Sequence, residues 1–314
     1  MKKQKVVIVG TGFVGMSYAY ALVNQGVVEE LVLIDINKAK AEGEAMDLNH
    51  GLALAPRRTI IKAGDYDECR DAWLVVITAG VNQKPGETRI DLLNRNASII
   101  KSVVDSVMAT GFDGIILVAS NPVDILAYVA WKQSGLPSSQ VIGSGTLLDT
   151  SRLRYEISKY IKIDSRNIHA YILGEHGDSE FVCWSKAYIG VKPMLDVIES
   201  MDEISFEDLD KIYIRVRDAA QEIIKRKNAT YYAIGMSLVR ITNAIFKNEN
   251  SIIPLSVYND GVYNIDKDLY IGLPAVVNSQ GIHHVVNLKL SSDEQLKLEK
   301  SARLLKDSLD KMNI

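Results

Sequence analysis

The most constraining feature of this sequence is the alternation of short apolar runs with longer helical patterns along its first half. The runs at 6–9, 30–34 and 115–118 lack the every-second-residue polarity of a half-exposed strand, which indicates strands buried on both faces. Between them, residues 13–24 and 91–108 carry apolar side chains at helical spacing. Strands that alternate with helices predict a parallel sheet whose crossover helices cover both of its faces.

The remaining patterns divide the chain into two parts. The first half adds strands at 59–62 and 73–78 and a helix at 39–48; the second has helices at 147–159, 206–227, 231–246 and in the charged run 291–311, a strand at 169–173, and antiparallel strands at 257–263, 270–277 and 281–286. The expected fold is α/β: a Rossmann-type doubly wound parallel sheet over residues 1–145, followed by an α+β domain over residues 146–314. Because no Pro/Gly-rich linker separates the domains, we expect them to share a large interface.

Composition excludes several classes of protein. With 47% hydrophobic residues, 24% charged residues and a formal net charge of −3, the chain suits a globular protein and lacks the basic surface of a nucleic-acid binder. Two cysteines, Cys69 and Cys183, argue against a disulfide framework and a cysteine-based metal or redox site, and we expect no metal. No long apolar run predicts a membrane span, and no signal peptide is indicated, so we expect a soluble, cytoplasmic protein.

A glycine motif follows the first strand and opens the first helix. Gly10, Gly12 and Gly15 form a G-x-G-x-x-G run, and Asp35 stands 20 residues after Gly15 at the end of the next strand. This arrangement favours dinucleotide binding, with the pyrophosphate at the helix N-terminus and Asp35 on the ribose hydroxyls. Because its carboxylate would repel the 2′-phosphate of NADP, Asp35 favours NAD as the cofactor. The alternatives are a purely structural loop and an Asp35 that caps the following helix.

A histidine lies between two glycines after a strand of the second half. His176, in the run Gly-Glu-His-Gly-Asp at 174–178, sits on a tight turn and suits the proton donor that hydride transfer to a ketone needs. Its predicted partner is Asp149, which shares a helix face with Arg152 three residues later. The alternatives are an ordinary surface salt bridge between Asp149 and Arg152, and an Asp149 that caps its helix.

Two further segments end at the same edge of the sheet. Arg89 closes a polar stretch, 83–89, whose glycine and proline predict a mobile loop after one strand, and residues 120–124 follow another strand. Ligands of open α/β sheets bind at this carboxyl edge. The residues alone therefore predict an NAD-dependent oxidoreductase with a His/Asp/Arg site.

At these motifs the sequence resembles the L-lactate/L-malate dehydrogenase family, and in particular its bacterial members, over essentially the whole chain. The resemblance is carried by the glycine motif, Asp35 and the segments 78–80, 83–89, 120–124, 143–146, 148–152, 174–178 and 229–232. It implies an NAD-binding first domain, a catalytic second domain, and NAD-dependent interconversion of pyruvate and L-lactate. A non-catalytic structural protein of the same fold is a distant alternative.

The resemblance also implies a role for each matching position. His176 would exchange a proton with the substrate oxygen, with Asp149 as its partner, while Arg152 would hold the substrate carboxylate. Arg89 would arrive with a closing loop and polarise the substrate carbonyl. The substrate pocket would further include Gln83, Asn121, Asp124 and Thr230. Cofactor contacts would come from Gly10, Gly12, Val14, Gly15, Asp35, Gly80, Val81, Ser102, Asn121 and Ser144.

Gln83 bears on the choice of substrate. In this family the position carries glutamine in enzymes acting on lactate and arginine in enzymes acting on malate. A neutral Gln83 suits the methyl group of pyruvate, because burying the second carboxylate of oxaloacetate without a cationic partner is costly. Malate and bulkier 2-hydroxy acids are the alternative substrates.

Two potentially cationic positions indicate regulation. Arg154 and His169 match residues that bind fructose 1,6-bisphosphate at a subunit interface in allosteric bacterial members of the family. Without the resemblance, Arg154 would be a helix-surface charge and His169 an ordinary strand residue. The resemblance therefore implies a homotetramer activated by fructose 1,6-bisphosphate.

Overall fold

The computed structural model describes residues 3–81, 86, 88–200 and 204–312, with Arg89 described in its backbone only. Within these residues no helix combines the length and the apolar character needed to cross a membrane. The helices are α1 (Phe13–Asn24), α2 (Lys38–His50), α3 (Arg89–Met108), α4 (Val123–Ser134), α5 (Leu147–Ile161), α6 (Met194–Ser200), α7 (Phe206–Lys227), α8 (Tyr232–Phe246) and α9 (Ser292–Lys311). The strands are β1 (Lys5–Val9), β2 (Glu30–Ile34), β3 (Ile60–Ala63), β4 (Leu74–Ile77), β5 (Ile115–Val118), β6 (Val141–Gly143), β7 (Ile168–His169), β8 (Ile172–Leu173), β9 (Phe181–Val182), β10 (Tyr188–Ile189), β11 (Lys192–Pro193), β12 (Ser251–Asn259), β13 (Leu269–Asn278) and β14 (Gly281–Val285).

The strands of the first half form the parallel sheet that the sequence predicts. Their order is β3-β2-β1-β4-β5-β6, and every neighbouring pair runs parallel. Every residue of β1, β2, β4 and β5 is buried, which explains their uninterrupted apolar runs. The strand order reverses between β1 and β4, the point at which such sheets bind ligands. The Rossmann-type prediction is therefore confirmed.

The later antiparallel strands extend this sheet. β12 pairs with β6 through Ser256 and Gly143, and β13 and β14 follow, which gives a sheet of nine strands in the described part of the chain. The predicted strand at 169–173 is in fact two strands, because β7 pairs with β10 while β8 pairs with β9. The sequence analysis assigned no element to α4, α6, β6, β9, β10 or β11. Strands of two or three residues are too short to show a pattern, and α4 is buried along nearly its whole length, so its apolar residues do not mark one face of a helix.

The buried apolar side chains fall into two clusters. The larger covers both faces of the nine-stranded sheet and includes side chains of α8 and α9. The smaller lies among α5, α6, α7 and the strands β7–β10, with Leu153, Ile157 and Ile212 fully buried in it. Burying one such side chain contributes about 1.5–3 kcal/mol to stability. Because Leu147 packs on the larger cluster and Leu153 lies in the smaller, the first turns of α5 lie where the two clusters meet.

Candidate active site

Two glycines, Gly10 in the loop between β1 and α1 and Gly15 in the first turn of α1, are required by the fold itself. Gly10 has a φ of +107°, and a Cβ on Gly15 would lie 2.1 Å from the Gly10 carbonyl oxygen. Gly12 differs, because it is exposed and a Cβ there would meet nothing within 4 Å. Packing therefore does not demand a glycine at position 12, whereas close approach of a ligand to the backbone would.

Asp35, at the end of β2, is tied to this loop. Its Oδ2 accepts hydrogen bonds from the Thr11 amide and hydroxyl, both at 2.7 Å, and its Oδ1 accepts the Asn37 amide at 2.9 Å. Burial opposes ionisation of Asp35, but these hydrogen bonds outweigh burial and lower its pKa. The N-cap of α2 is Asn37 and not Asp35. A carboxylate therefore stands beside the glycine loop at the carboxyl edge of the sheet.

Most of the other predicted cofactor contacts also follow the carboxyl ends of strands. Gly80 and Val81 come after β4, Asn121 after β5 and Ser144 after β6. Asn96, which is 3% exposed, joins two of these segments: its Oδ1 accepts the Val81 amide at 2.9 Å and its Nδ2 donates to the Asn121 carbonyl at 3.4 Å. The sequence analysis did not single out Asn96, because one polar residue within an amphipathic helix carries no signal of a tertiary contact.

Besides Gly15, two predicted cofactor contacts lie on helices. Val14 is half-buried in the first turn of α1, beside the glycine loop. Ser102 is exposed on α3, about 20 Å along the helix axis from Arg89 at a rise of ~1.5 Å per residue. Ser102 is therefore far from the loop that opens α3, and its role stays a prediction.

His176 is held on the turn between β8 and β9 from two sides. Its backbone amide donates to Asp124 Oδ2 at 2.8 Å, and its ring Nδ1 lies 2.6 Å from Asp149 Oδ2. Gly174 has a φ of +96°, which allows the tight turn. Because Asp149 is an acceptor, the proton on Nδ1 faces it, and Nε2 is the nitrogen left to exchange a proton with a substrate.

Asp149 bridges His176 to Arg152, which is largely shielded from water. Its Oδ1 lies 2.8 Å from Arg152 Nη1, and the two side chains are only 3% and 13% exposed. An ion pair so shielded from water is not the surface salt bridge of the alternative interpretation. The N-cap of α5 is Thr146, so Asp149 does not cap that helix. The structure therefore brings together His176, Asp149 and Arg152, as the sequence predicts.

The electrostatics of this cluster favour a protonated histidine. Burial lowers the pKa of His176, but the charge and hydrogen bond of Asp149 outweigh burial and raise the pKa to about 9. Burial likewise opposes ionisation of Asp149, and the cationic His176 and Arg152 outweigh it and lower its pKa. At neutral pH the site therefore holds an imidazolium that can donate a proton, beside an arginine that can bind a carboxylate.

Asp124, which was predicted to line the substrate pocket, lies almost completely buried beside His176. It is 2% exposed, at the start of α4, and its carboxylate accepts the His176 amide from behind the turn. Burial raises the pKa of Asp124 to about 6. Asp124 therefore fixes the backbone of His176, a role that depends on a contact between α4 and the β8–β9 turn.

The structure describes the other predicted substrate residues only in part. Gln83 lies outside the described residues, and Arg89 is the first residue of α3, with its side chain outside the described part. Asn121 is exposed after β5, and Thr230 is half-buried just before α8.

The two predicted effector residues lie close to each other. Arg154 Nε donates to the carbonyl of Ala170 at 3.3 Å, and its guanidinium lies 5.4 Å from the ring centroid of Tyr171. His169, the residue before Ala170, is exposed on β7. Arg154 is thus not the plain helix-surface charge of the alternative interpretation, since it packs against the strand segment that carries His169.

One group of side chains here has the residue types of a metal site. Asp149, His176 and the buried Glu180 each place one potential ligand atom within 4.8 Å of the others. Both carboxylate oxygens of Asp149 are already engaged, one by Arg152 and the other by His176. The arrangement therefore suits proton transfer beside a bound anion better than metal coordination.

Comparison with known proteins agrees with this geometry. Residues 4–143 match the lactate/malate dehydrogenase NAD binding domain, and residues 146–313 match the lactate/malate dehydrogenase alpha/beta C-terminal domain. An L-lactate dehydrogenase of Geobacillus sp. (strain WCH70) is 56% identical over 314 residues, which cover 99% of this chain and 98% of that protein.

Solved structures of lactate dehydrogenases also match this chain over nearly its whole length. A lactate dehydrogenase, MGS-M5, from a Medee basin deep-sea metagenome library has a TM-score of 0.99 and 71% identity, with 100% of both chains covered. The minor L-lactate dehydrogenase of Enterococcus mundtii, in its ligands-bound form, has a TM-score of 0.97 and 50% identity, with 99% of both chains covered. The chain therefore belongs to the lactate/malate dehydrogenase family, whose first domain binds NAD.

Proposed function

We propose that this chain is an NAD-dependent L-lactate dehydrogenase, which interconverts pyruvate plus NADH and L-lactate plus NAD⁺. The observation that carries the proposal is the His176–Asp149–Arg152 cluster around the buried Asp149, with His176 Nδ1 2.6 Å from Asp149 and Arg152 Nη1 2.8 Å from Asp149. Relatives that match over nearly the whole chain are named L-lactate dehydrogenases. An intact proton donor and anion-binding arginine argue against the non-catalytic alternative.

The residues of the first domain fit a dinucleotide. The open space above Gly12 and the N-terminus of α1 would receive the pyrophosphate, and the ionised Asp35 would accept the ribose hydroxyls and repel a 2′-phosphate. Gly10, Val14, Gly15, Gly80, Val81, Ser102, Asn121 and Ser144 are the further contacts that we propose. When bound, NADH supplies the hydride for the carbonyl carbon of the substrate.

The residues of the second domain would carry the proton and hold the substrate. Arg152 would bind the carboxylate of pyruvate in a bidentate ion pair, beside the proton donor. His176 Nε2 would give its proton to the carbonyl oxygen as negative charge develops there, while Asp149 stabilises the imidazolium beforehand. Arg89, Asn121 and Thr230 would complete the pocket, and Arg89 would polarise the carbonyl when its loop closes.

Gln83 supports pyruvate over oxaloacetate as the substrate. A neutral amide leaves the second carboxylate of oxaloacetate without a cationic partner, and a buried unpaired charge is strongly unfavourable. Dehydrogenation of malate or of a bulkier 2-hydroxy acid is the second candidate function, since Gln83 does not by itself limit the size of an apolar substituent.

We further propose a homotetramer activated by fructose 1,6-bisphosphate. Arg154 and the exposed His169 would bind the phosphates across a subunit contact. An exposed apolar surface on α1 and α8, with Phe13 70%, Tyr232 69% and Met236 56% exposed, supports association of copies of the chain.

The test of the function is an NADH absorbance assay with three 2-oxo acids. We expect the highest kcat/KM for pyruvate, with lower values for oxaloacetate and 2-oxo-4-methylpentanoate. Replacing His176 by Gln should reduce turnover by about 10²–10⁴-fold and leave NADH binding intact. His50→Gln, an exposed change on α2, is the matched control and should keep full activity. A chain that oxidises NADH with none of the three acids would contradict the proposal.

A further inference from the structure

Three consecutive backbone amides of the β8–β9 turn are each held by a different element. The Gly174 amide donates to the Gly272 carbonyl of β13 at 3.0 Å, and the His176 amide donates to the buried aspartate of α4 at 2.8 Å. Between them, the Glu175 amide donates to the Ser301 hydroxyl at 2.7 Å. The acceptor for this middle amide is therefore a side chain of α9, 126 residues further along the chain.

Ser301 also closes a ring of hydrogen bonds around this turn. Its Oγ lies 2.9 Å from Ser179 Oγ, and the Ser179 hydroxyl donates to the Glu175 carboxylate. Because a hydroxyl group has one proton to donate, the Ser301 hydroxyl is the donor between the two serines. The ring therefore runs from the Glu175 amide through Ser301 and Ser179 back to the Glu175 carboxylate. Residues 175 and 179 lie on either side of His176, so the ring ties together the two ends of the segment that carries it.

Ser301 is shielded from water on the buried face of α9. It is 0% exposed, and its neighbours on that face, Leu298 and Leu305, are 0% and 2% exposed. The approach to the turn is close, since a Cβ on Gly174 would lie 2.8 Å from Ser301 Oγ. A buried amide that loses its hydrogen-bond acceptor is strongly disfavoured where water cannot replace it. Removing the Ser301 hydroxyl would therefore release the amide next to His176.

We propose that Ser301 is a positioning residue for His176, through which α9 takes part in the reduction of a 2-oxo acid. Asp149 orients the imidazole ring at Nδ1, while the turn fixes the backbone from which the ring extends. Nε2 reaches the substrate oxygen only when both are in place, and misplacement of a reacting group by ~1 Å lowers a rate by up to about 10²-fold. This inference rests on the proposed function, and it adds a residue that acts through His176 without touching the substrate.

The test is Ser301→Ala, which removes the hydroxyl group and keeps a good helix former in α9. We expect kcat for pyruvate, expressed per NADH-binding site, to fall by about tenfold as the turn shifts. KM for pyruvate and Kd for NADH should change by less than about twofold, since Arg152 and the glycine motif lie outside the turn. With NADH that carries deuterium in place of the transferred hydrogen, the isotope effect on kcat should increase, because the chemical step becomes slower relative to the others.

Two serine variants control for the loss of a hydroxyl group as such. Ser308→Ala, also on α9, removes a hydroxyl that donates to the Leu304 carbonyl of the same helix at 2.8 Å, and it should leave every constant unchanged. Ser179→Ala opens the ring but leaves Ser301 to accept the Glu175 amide, so kcat should fall by less than in Ser301→Ala. Because Ser179 is half-buried, this variant also keeps the inference testable if Ser301→Ala does not fold.

Hydrogen–deuterium exchange reports on the turn without turnover. In Ser301→Ala the peptide that spans residues 174–180 should exchange faster, while peptides of β1, β2, β4 and β5 should exchange as in the unaltered chain. An unchanged kcat per NADH-binding site would overturn the proposal. Faster exchange throughout the chain, with losses in kcat, KM and NADH affinity together, would overturn it as well and leave Ser301 a purely structural residue.

Two remaining outcomes are also decisive. If Ser301→Ala does not fold, an unchanged kcat and an unchanged isotope effect in Ser179→Ala would overturn the proposal. If the unaltered enzyme reduces no 2-oxo acid, the proposed function fails, and exchange of the 174–180 peptide still decides whether Ser301 holds the turn that carries His176.

Discussion

At His176 two opposing effects act on the same proton. Partial burial disfavours the imidazolium, while the carboxylate of Asp149 at 2.6 Å favours it, and the attraction is the larger effect. Arg152 holds Asp149 from the other side, so Asp149 stays ionised even though it is 2% exposed. The residues that bind the proton and the substrate anion are therefore coupled through one carboxylate.

This coupling predicts opposite pH dependences for the two directions of the reaction. Pyruvate reduction requires protonated His176, so its kcat/KM should be flat through neutral pH and fall above about 9, the raised pKa of His176. Lactate oxidation requires the neutral ring, so its kcat/KM should rise toward the same pH. Initial rates over a range of pH, with NADH or NAD⁺ saturating, measure both. A reduction profile that already falls near the ordinary histidine value of about 6.5 would show that Asp149 does not raise the pKa of His176.

Gln83 gives the second prediction at the scale of single residues. Gln83→Arg should raise kcat/KM for oxaloacetate and lower it for pyruvate, because the new charge pairs with the extra carboxylate and lies poorly against a methyl group. The ratio of the two values is the measurement. Gln280→Arg, at an exposed turn between β13 and β14, is the control and should leave the ratio unchanged. An unchanged ratio in Gln83→Arg would mean that Gln83 does not face the substrate side chain.

Sequence reasoning identified those site residues that form a recognisable motif with residues close to them in the chain. His176 between glycines and the Asp149–Arg152 spacing both carry a local signal. Asn96 and the contact made by Asp124 carry none, because each side chain meets a residue distant along the chain: the Asp124 carboxylate meets an amide 52 residues later. The Asp124 contact forms only when α4 packs against the turn that carries His176.

At the scale of elements, the glycine motif between β1 and the first turn of α1 contains glycines that the fold requires and one that only a ligand would require. Gly10 and Gly15 touch: a Cβ on Gly15 would lie 2.1 Å from the carbonyl oxygen of Gly10. Gly12 has a φ of −72°, which any residue can adopt, and open space around its Cβ position. Packing and backbone conformation therefore explain why positions 10 and 15 carry glycine, whereas access of a ligand would explain the glycine at position 12.

Paired substitutions in this glycine motif should therefore have different effects. Gly12→Ala should keep the melting temperature and raise the Kd for NADH by about tenfold or more, since the methyl group would occupy the space proposed for the pyrophosphate. Gly15→Ala should lower both stability and NADH affinity, because overpacking against backbone costs at least about 1–3 kcal/mol. Thermal unfolding and a fluorescence titration with NADH measure the two effects. Equal NADH affinity in Gly12→Ala and the unaltered chain would contradict the proposed cofactor position.

The elements themselves could be predicted where a run of residues was long or uniformly apolar. The prediction for α1 and β5 agrees with the structure to the residue, whereas the predicted strand 257–263 began late, since β12 is Ser251–Asn259. Pro254 within that strand pairs with Pro274 of β13, a register that local pattern alone does not reveal. Local sequence sets the type of an element, and partner strands set where it begins and ends.

At the scale of the whole molecule, strands from both predicted domains belong to one sheet. The proposed boundary at residue 145 falls directly after β6, yet β12–β14, α8 and α9 return to the sheet and its large apolar cluster. α5 leaves the sheet at this point and carries Asp149 and Arg152 into the smaller cluster. The catalytic cluster is therefore anchored in both apolar clusters at once, which explains how an arginine and a buried carboxylate keep a fixed geometry.

Assembly and regulation give the last prediction. If Arg154 and His169 of neighbouring subunits bind fructose 1,6-bisphosphate, the ligand should lower the apparent KM for pyruvate and favour the tetramer, by a coupling of about 1–3 kcal/mol. Arg154→Gln combined with His169→Ala should abolish this response and spare activity at saturating pyruvate. Arg226→Gln, an exposed change on α7, is the control and should respond normally. The measurement is pyruvate saturation at dilute protein with and without the effector, alongside sedimentation. Superimposable curves for the unaltered enzyme would limit Arg154 to its observed contacts with Ala170 and Tyr171.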